Sequence, residues 1–168
     1  MRKLTRLGLI AAILIGCVGC DQLSKHAVRT HLELGYSESF LGDTLRLTHA
    51  ENPGAFLSVG ANLAAPARIA VFQVGVGIIV LGLLLYALLA RNLGRWTVAA
   101  LALLAASGLG NLIDRLAFDG RVTDFLNMGI HSLRTGIFNI ADVVGVVGVV
   151  ILLCASGSSR ETPQATNA

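Results

Sequence analysis

The stretch Ile69–Ala90 reads IAVFQVGVGIIVLGLLLYALLA and has no charged residue over 22 positions. A helix needs about 20 apolar residues to cross the hydrocarbon core of a bilayer. This stretch therefore predicts a transmembrane helix. After a short basic turn, Trp96–Ile113 is a second uncharged run of 18 residues, rich in Ala and Leu, and it predicts another span.

The composition of the whole chain agrees with a membrane protein. Of its 168 residues 54% are hydrophobic and only 14% are charged, whereas soluble domains carry about 25% charged residues. Disorder, collagen-like repeats and a disulfide-stapled secreted module are excluded by the same figures. The net charge is +3, but the 13 Lys and Arg residues form no dense basic stripe. We therefore expect no nucleic acid partner.

Two further segments complete a prediction of four spans. Residues 137–155 form a mostly uncharged run, and residues 4–20 reach spanning length if Arg6 extends to the interface. The predicted fold class is all-α integral membrane, with approximate spans 4–20, 69–90, 96–113 and 137–155. These spans form one domain over residues 1–155, followed by a disordered cytoplasmic tail over 156–168.

The first segment also allows a second interpretation. Arg2, Lys3 and Arg6 form a basic region, an apolar run follows, and Leu14–Cys17 resembles a lipobox. Together they are typical of a cleavable lipoprotein signal peptide. Three further spans follow, however, and this favours a retained helix.

The distribution of basic residues predicts how the spans are oriented across the membrane. The basic N-terminus, together with Arg91 and Arg95 in the turn between two spans, favours the cytoplasm for both termini. The loop over residues 21–68 then lies outside. Within it, Leu45–His49 alternates apolar and polar residues and predicts a strand, and Asn52-Pro53-Gly54 predicts a turn. We expect a little β structure on the membrane surface.

Polar residues at the outer end of the third span form the first candidate cluster. Ser107, Asn111, Asp114 and Arg115 are three or four residues apart and share one helical face. The structural alternative is that Asp114 and Arg115 pair with helix ends or with each other.

Two aspartates make the strongest candidate for chemistry. Asp124 stands in an apolar stretch that predicts a short strand or re-entrant turn, and Asn139 and Asp142 share a face at the outer end of the fourth span. Capping is the structural alternative for Asp142. Asp124 and Asp142 are joined by a short outer excursion, so they can meet at the mouth of the bundle. Two adjacent carboxyls share a proton, and such a pair can activate a water and protonate a leaving group.

Other catalytic patterns are weaker in this sequence. The four histidines show no metal-binding spacing, and Ser107-Gly108 lacks the GxSxG frame. Cys17 and Cys20 form a CxxC pair inside an apolar helix, without a redox context.

Five sequence blocks, in order, resemble the motifs of bacterial lipoprotein signal peptidases, also called type II signal peptidases. The blocks are Asp21-Gln22-Leu23-Ser24-Lys25, Asn52-Pro53-Gly54-Ala55-Phe56, Gly110-Asn111-Leu112-Ile113-Asp114-Arg115, Val122-Thr123-Asp124-Phe125 and Phe138-Asn139-Ile140-Ala141-Asp142. The resemblance covers residues 21–142. It also favours the retained first helix, because the first block follows that helix directly.

The resemblance implies an intramembrane aspartic endopeptidase of the bacterial inner membrane, with four spans and a small extracytoplasmic β-cradle. Such enzymes cut prolipoproteins just before a cysteine that carries diacylglycerol. The family pattern makes Asp124 and Asp142 the catalytic dyad. The residues that it assigns to substrate binding are Asn52, Gly54, Asn111, Arg115 and Asn139.

The remaining expectations concern other residues and partners. Asp21, Lys25 and Asp114 are assigned to structural polar roles. No metal or organic cofactor is expected, and the partners are prolipoprotein substrates and membrane lipids, with the enzyme as a monomer and its site on the periplasmic side. One departure is visible, because Phe56 comes one position early and Leu57 takes the usual Phe place.

Two alternatives to a peptidase remain at this point. A small proton-coupled transporter would use Asp114, Asp124 and Asp142 as relay carboxylates, although such groups usually lie near the bilayer midplane. A noncatalytic membrane scaffold, or a lipoprotein with extra spans, is the other alternative.

Overall fold

The helices and a small antiparallel sheet are seen in a computed structural model that describes residues 1–55 and 59–157. The helical elements are α1 (Lys3–His31), α2 (Ala65–Arg68), a π-helical turn (Ile69–Gly75), α3 (Val76–Leu89), α4 (Arg95–Ala117) and α5 (Ile140–Gly157). The strands are β1 (Ser37–Phe40), β2 (Leu45–Asn52), β3 (Val122–Ile130) and β4 (Leu133–Arg134).

Three helices in this part of the chain are long and apolar enough to cross a membrane. They are Lys3–His31, Ala65–Leu89 and Arg95–Ala117, while Ile140–Ser156 is a shorter apolar helix. The chain is therefore a multi-pass membrane protein. The third of these helices contains the whole predicted span 96–113, and the second contains the predicted span 69–90 except for its last residue, Ala90.

The first helix is longer than its apolar run. It continues eleven residues past Cys20 and buries Asp21 and Lys25 completely inside the bundle. These two side chains form an i,i+4 ion pair with 2.8 Å between nitrogen and oxygen. Because the charges are neutralised there, the helix has no reason to end at Asp21.

At the other end of α1, Arg6 is almost fully buried and does not simply extend to the interface. Its guanidinium donates to the carbonyl of Ala90 at 2.6 Å and to that of Leu88 at 3.3 Å. These carbonyls are left without helical partners at the end of α3. Arg6 thereby fastens α1 to α3.

Close helix packing brings the candidate residues of α4 next to those of α5. A Cβ added to Gly110 would stand 2.6 Å from the Asp21 carboxylate and 3.2 Å from the Cβ of Ala141. One added to Gly145 would stand 2.6 Å from the hydroxyl of Ser107. Small residues let the backbones approach this closely. The two glycines therefore set the spacing of the polar ends of these helices.

The four strands form one antiparallel sheet in the order β1-β2-β3-β4. The predicted strand Leu45–His49 lies within β2, and a register irregularity separates Leu47 from Ala50. At the inner end of the sheet Asn52 lies opposite Val122, and Ala50 lies opposite Asp124. The sheet thus carries Asp124 towards the ends of α4 and α5.

The last helix begins slightly later than the run over 137–155 predicts. Phe138 is held by a bridge to Leu126 of β3, and α5 starts at Ile140. The helix continues through Gly157, two residues into the tail that was predicted to start at 156. The remainder of that tail, and the departure at Phe56 and Leu57, lie outside the described residues.

Candidate active site

Asp142 is fixed by the first turn of α5. The backbone N–H of Asp142 donates to the side-chain oxygen of Asn139 at 3.1 Å, and the backbone N–H of Asn139 donates to the Asp142 carboxylate at 3.1 Å. This reciprocal pair is a capping box, with Asn139 as the cap and Asp142 three residues later. The carboxylate is therefore both a capping group and a candidate for chemistry, and the structural alternative does not exclude the functional one.

Asp124 meets two amide side chains from other parts of the chain. Asn52, at the end of β2, donates to one carboxylate oxygen at 3.0 Å. Asn139 donates to the other oxygen at 2.6 Å. Asn139 therefore contacts both aspartates, which places Asp124 and Asp142 in one pocket.

Asn111 of α4 completes the pocket from the side of the helices. Its amide nitrogen donates to Asp142 at 3.0 Å. Its amide oxygen accepts from Lys25 at 2.8 Å and from Asn139 at 3.1 Å. Because both donors point at the oxygen, the amide nitrogen is directed towards Asp142.

A small cavity lies among these side chains. Its volume is about 20 Å³, and a space of roughly 10–15 Å³ or more on this measure is enough for one water. The lining residues are Asn52, Ala55, Asn111, Arg115, Val122, Asp124, Asn139 and Asp142. The cavity can therefore hold a single water in contact with both carboxyls.

The surroundings of Asp124 change its acidity. Burial raises its pKa to about 6, and the nearby Asp142 charge acts in the same direction. The hydrogen bonds from Asn52 and Asn139 oppose this change, because they stabilise the charged carboxylate. The pKa of Asp124 thus lies close to the pH range in which a general acid or base works best.

Arg115 holds the turn after β2 against the pocket. Its guanidinium donates to the Gly54 carbonyl at 2.6 Å and to the Asn111 carbonyl at 3.2 Å. The Gly54 N–H donates to the Asn52 side chain at 2.9 Å. The N–H of Gly54 is therefore bonded to Asn52 and its carbonyl to Arg115. Arg115 points at this turn and does not pair with Asp114.

Asp114 lies in a separate group, which we call the charged cluster, formed by Asp21, Lys25, Arg29 and Asp114. Lys25 lies 3.5 Å from Asp114 as well as 2.8 Å from Asp21, and the side chains of all three are buried. Arg29, at 3.5 Å from Asp114, is partly exposed. The Asp114 carboxylate also accepts the backbone N–H of Thr123 at 3.0 Å. The cluster therefore binds α1 to α4 and to the start of β3.

Two members of this region were not predicted from the sequence. Gln22 donates to the Gly110 carbonyl at 3.0 Å and to Asp114 at 3.1 Å, and Arg29 donates to the Thr123 hydroxyl at 2.8 Å. The sequence does contain a pattern that indicates this cluster. Asp21, Lys25 and Arg29 recur every four residues and so share a helical face. Ending the first span at residue 20 hid that periodicity.

Comparisons with known proteins bear on this arrangement. A solved structure described as a bacterial membrane enzyme, determined by the in meso method at 2.3 Å resolution, matches with a TM-score of 0.80 and 26% identity. It covers 96% of this chain and 94% of that one. A second bacterial membrane enzyme, at 1.9 Å resolution, matches with a TM-score of 0.76. The fold is that of a bacterial membrane enzyme.

Sequence relatives are more specific. The family model of signal peptidase (SPase) II matches residues 13–157. The lipoprotein signal peptidase of Moorella thermoacetica is 40% identical over 147 residues, which cover 86% of this chain and 88% of that protein. The lipoprotein signal peptidase of Streptococcus agalactiae serotype V is 34% identical over 156 residues, which cover 92% and 93%. The chain belongs to the signal peptidase II family of membrane proteases that process lipoproteins, and the transporter and scaffold alternatives are set aside.

Proposed function

We propose that this protein is an aspartic endopeptidase that removes signal peptides from diacylglyceryl-modified prolipoproteins, with Asp124 and Asp142 as its catalytic dyad. The observation that carries the proposal is the water-sized cavity bordered by both carboxyls. Asn139 contacts both of them, and this common partner keeps the pair together.

The proposed reaction needs one shared proton. The ionised carboxyl takes a proton from the water. The water oxygen attacks the carbonyl carbon of the peptide bond that precedes the lipidated cysteine. The protonated carboxyl gives its proton to the carbonyl oxygen, and a tetrahedral diol forms. The dyad then gives its remaining proton to the cysteine nitrogen, and the carbon–nitrogen bond breaks as a diol hydroxyl returns a proton to the dyad. The products are a carboxylic acid and an amine, and the dyad again holds one proton. The raised pKa of Asp124 supports retention of that shared proton.

Substrate binding is assigned to the groups around the dyad. We propose that Asn52, Asn111, Arg115 and Asn139 line the path of the substrate backbone. Gly54 lets that backbone come close to the turn, because it adds no side chain there. Asp21, Lys25 and Asp114 are structural in this proposal, since their charges are turned towards one another.

An apolar cavity below the dyad supports a substrate that comes from the lipid phase. It has a volume of about 410 Å³ and lies between α4 and α5, with Asp142 at one end. The other lining residues are Leu104, Ser107, Gly145, Val146, Val149 and Val150. Apolar substrate chains that lie along it would bring the scissile bond to the dyad.

The placement in the cell is also part of the proposal. We assign four spans, α5 being the fourth, to a single domain over residues 1–155 of a monomer in the bacterial inner membrane. The termini are cytoplasmic and the site faces the periplasm, in keeping with the basic residues at the N-terminus and in the turn at Arg91 and Arg95. A retained first helix is supported by Arg6, which binds the end of α3, and by Ile10, which is part of the hydrophobic core.

Cleavage of a purified diacylglyceryl prolipoprotein by the protein in lipid nanodiscs tests this function. The product is expected to begin with the lipidated cysteine, as read by intact mass. Asp124→Asn and Asp142→Asn are each expected to lower the cleavage rate by about 10²–10⁴-fold, the usual contribution of a positioned acid or base. Full activity in either variant would reject the dyad.

Asp119→Asn is the matched control for both substitutions. Asp119 is an exposed aspartate between α4 and β3, and its φ of 49° is a conformation that Asn also adopts. Its substitution removes one carboxylate from the same side of the molecule without touching the pocket. The control is expected to cleave at the unmodified rate.

A further inference from the structure

The outer end of the sheet has one apolar face. In the strand register Phe40 lies opposite Leu45, Leu45 lies opposite Met128, and Ile130 lies opposite Leu133. Directly opposed residues of antiparallel strands point to the same face, and residues two apart on one strand do as well. These five side chains therefore share a face, which we call the apolar sheet end.

Most of the apolar sheet end is uncovered. Leu133 is 83% exposed, Ile130 66% and Met128 50%, while Phe40 is exposed and Leu45 is half-buried. Contiguous exposed apolar side chains outside a transmembrane helix indicate a surface that contacts a partner or a membrane.

The opposite face of the same strands is polar. Ser39, Arg46 and Asn127 lie across from one another in the register. Arg134 donates to Asn127 at 2.6 Å and to the Asp43 carboxylate at 3.3 Å, and Arg46 donates to Asp43 at 2.6 Å. Hydrogen bonds from Arg46 and Ser39 hold the pKa of Asp43 well below its usual range. The sheet end is therefore amphipathic, with an ionic network on one face and apolar side chains on the other.

The turn after β1 adds another apolar group at this end. Leu41 is 78% exposed and has a φ of +52°. The left-handed conformation is unfavourable for an L-residue with a bulky side chain and is usually taken by Gly, Asn or Asp. The leucine at this turn therefore adopts an unfavourable backbone conformation and exposes an apolar side chain. Its exposure fits contact with an apolar phase better than contact with water.

The apolar sheet end is continuous with the pocket. Asp124, Leu126 and Met128 alternate along β3 and so lie on one face of the strand. Leu126 is opposite Leu47 in the register, and both are partly buried. Along β3, the face that carries Asp124 therefore extends outward through apolar side chains and becomes more exposed with distance from the pocket. On the edge strand β1 the same face also carries the exposed Glu38, opposite Leu47.

We propose that the apolar sheet end lies against the lipid surface of the outer membrane leaflet and anchors the sheet there. This inference rests on the proposed function, which places the site on the periplasmic side and, with it, the sheet that carries Asp124. An amphipathic element with one charged face lies in the interfacial plane, with its apolar face at the boundary of head groups and acyl chains. The ionic network around Asp43 then faces water.

The test uses a single tryptophan as a depth probe. Trp96, the chain's one tryptophan, is replaced by Phe, and Leu133→Trp or Ser37→Trp is introduced in that background. Ser37 is exposed and lies on the polar side of the register, opposite Thr48, so it is the matched control. Each protein is placed in nanodiscs with ordinary or brominated phosphatidylcholine, without substrate.

Loss of emission in brominated lipid is expected for Leu133→Trp, together with a blue shift, and little loss is expected for Ser37→Trp. Equal quenching at both positions, or none at Leu133→Trp, would overturn the proposal. If Leu133→Trp responds only when an unprocessed prolipoprotein is added, the surface binds substrate and the proposal is also wrong. Each variant is checked for folding by its thermal unfolding. Because quenching needs no cleavage, a failed dyad and a failed anchor give different results.

Discussion

The pocket and the charged cluster both hold aspartates beside α4, but they hold them in different ways. In the charged cluster, Asp21 and Asp114 face Lys25 at 2.8 and 3.5 Å. In the pocket, Asp124 and Asp142 receive amide donors, and within residues 1–55 and 59–157 neither carboxylate forms an ion pair within 4.0 Å.

This difference indicates that the charged cluster holds the helices together and that the pocket is the part suited to chemistry. A carboxylate that is paired with a buried cation is tied to that cation, and the pair fixes both side chains in place. Asp124 is held by neutral amides instead of a cation, burial raises its pKa to about 6, and a water-sized cavity lies next to it. The contrast predicts that substitutions in the cluster act first on stability and substitutions in the pocket act first on cleavage.

The largest expected effect on stability comes from Lys25→Met. Removal of the ammonium leaves Asp21 and Asp114 buried without their shared cation, and breaking a buried ion pair costs about 3–5 kcal/mol. The free energy of unfolding, measured by denaturant titration in detergent micelles, is expected to fall by this amount. Lys3→Met, an exposed lysine on the same helix, is the control and should leave it unchanged. Equal stability of the two variants would contradict the role given to the cluster.

Asn111→Ala tests the residue that joins the two regions. Its amide links Lys25 to Asp142, so its loss removes a donor from the dyad and frees the carboxylate to turn. Misplacement of a catalytic group by about 1 Å costs on the order of 10²-fold in rate, and the cleavage rate is expected to fall by about this factor. Asn127→Ala is the control, because Asn127 is a buried asparagine that contacts Thr135 and Arg134 and not the dyad. A similar rate loss in both variants would show that the effect is structural.

Asn52→Ala is expected to change the pH dependence of cleavage. The Asn52 hydrogen bond favours the ionised form of Asp124, so its loss should raise the pKa of Asp124 further above 6. The limb of the kcat/KM profile that belongs to Asp124 should move to higher pH. The pH profiles of Asn52→Ala and of the control Asn127→Ala are measured side by side. An unshifted limb in Asn52→Ala would disprove the role of this hydrogen bond in setting the pKa of Asp124.

The same carboxyl should also affect stability. Its folded pKa of about 6 lies above the ordinary value of 3.8. Between these values the folded state binds more protons than the unfolded state, so this group's contribution to stability falls as the pH rises from about 4 to about 6. Asp124→Asn should flatten that part of the unfolding curve against pH.

The smallest effect is expected for the exposed pair Arg121–Glu51, which lies on the same sheet at 2.6 Å. Exposed ion pairs contribute about 0.2–1 kcal/mol. Arg121→Ala should therefore lower the free energy of unfolding by no more than this and leave cleavage unchanged. A loss as large as that of Lys25→Met would mean that burial does not separate the two kinds of ion pair.

Local patterns in the sequence were enough for part of this structure. The uncharged run from Ile69 to Ala90 predicts a helix by length alone, and the spacing of Asn139 and Asp142 places them on one face. Both inferences depend on residues that are near in the chain. The dyad's function remains a prediction, although its two members do border one cavity.

Other contacts depend on the assembled fold and could not be predicted. The bond between Asn52 and Asp124 follows from the register of β2 and β3, which includes an irregularity that alternation does not show. The length of α1 was missed because Asp21 and Lys25 are typical of the end of an apolar span. The helix continues because distant residues complete the Asp21–Lys25 pair: Asp114 lies 3.5 Å from Lys25, and the Ala141 N–H donates to Asp21.

The capping box at the start of α5 has a consequence for the order of events during synthesis. Asp142 is oriented by bonds that exist only when the first turn of the final helix has formed. A ribosome-bound chain that lacks α5 has Asp124 but no partner for it. On the proposed dyad mechanism, the peptidase is expected to become competent only after its last helix is inserted, so that the nascent chain does not cut prolipoproteins while it is being made.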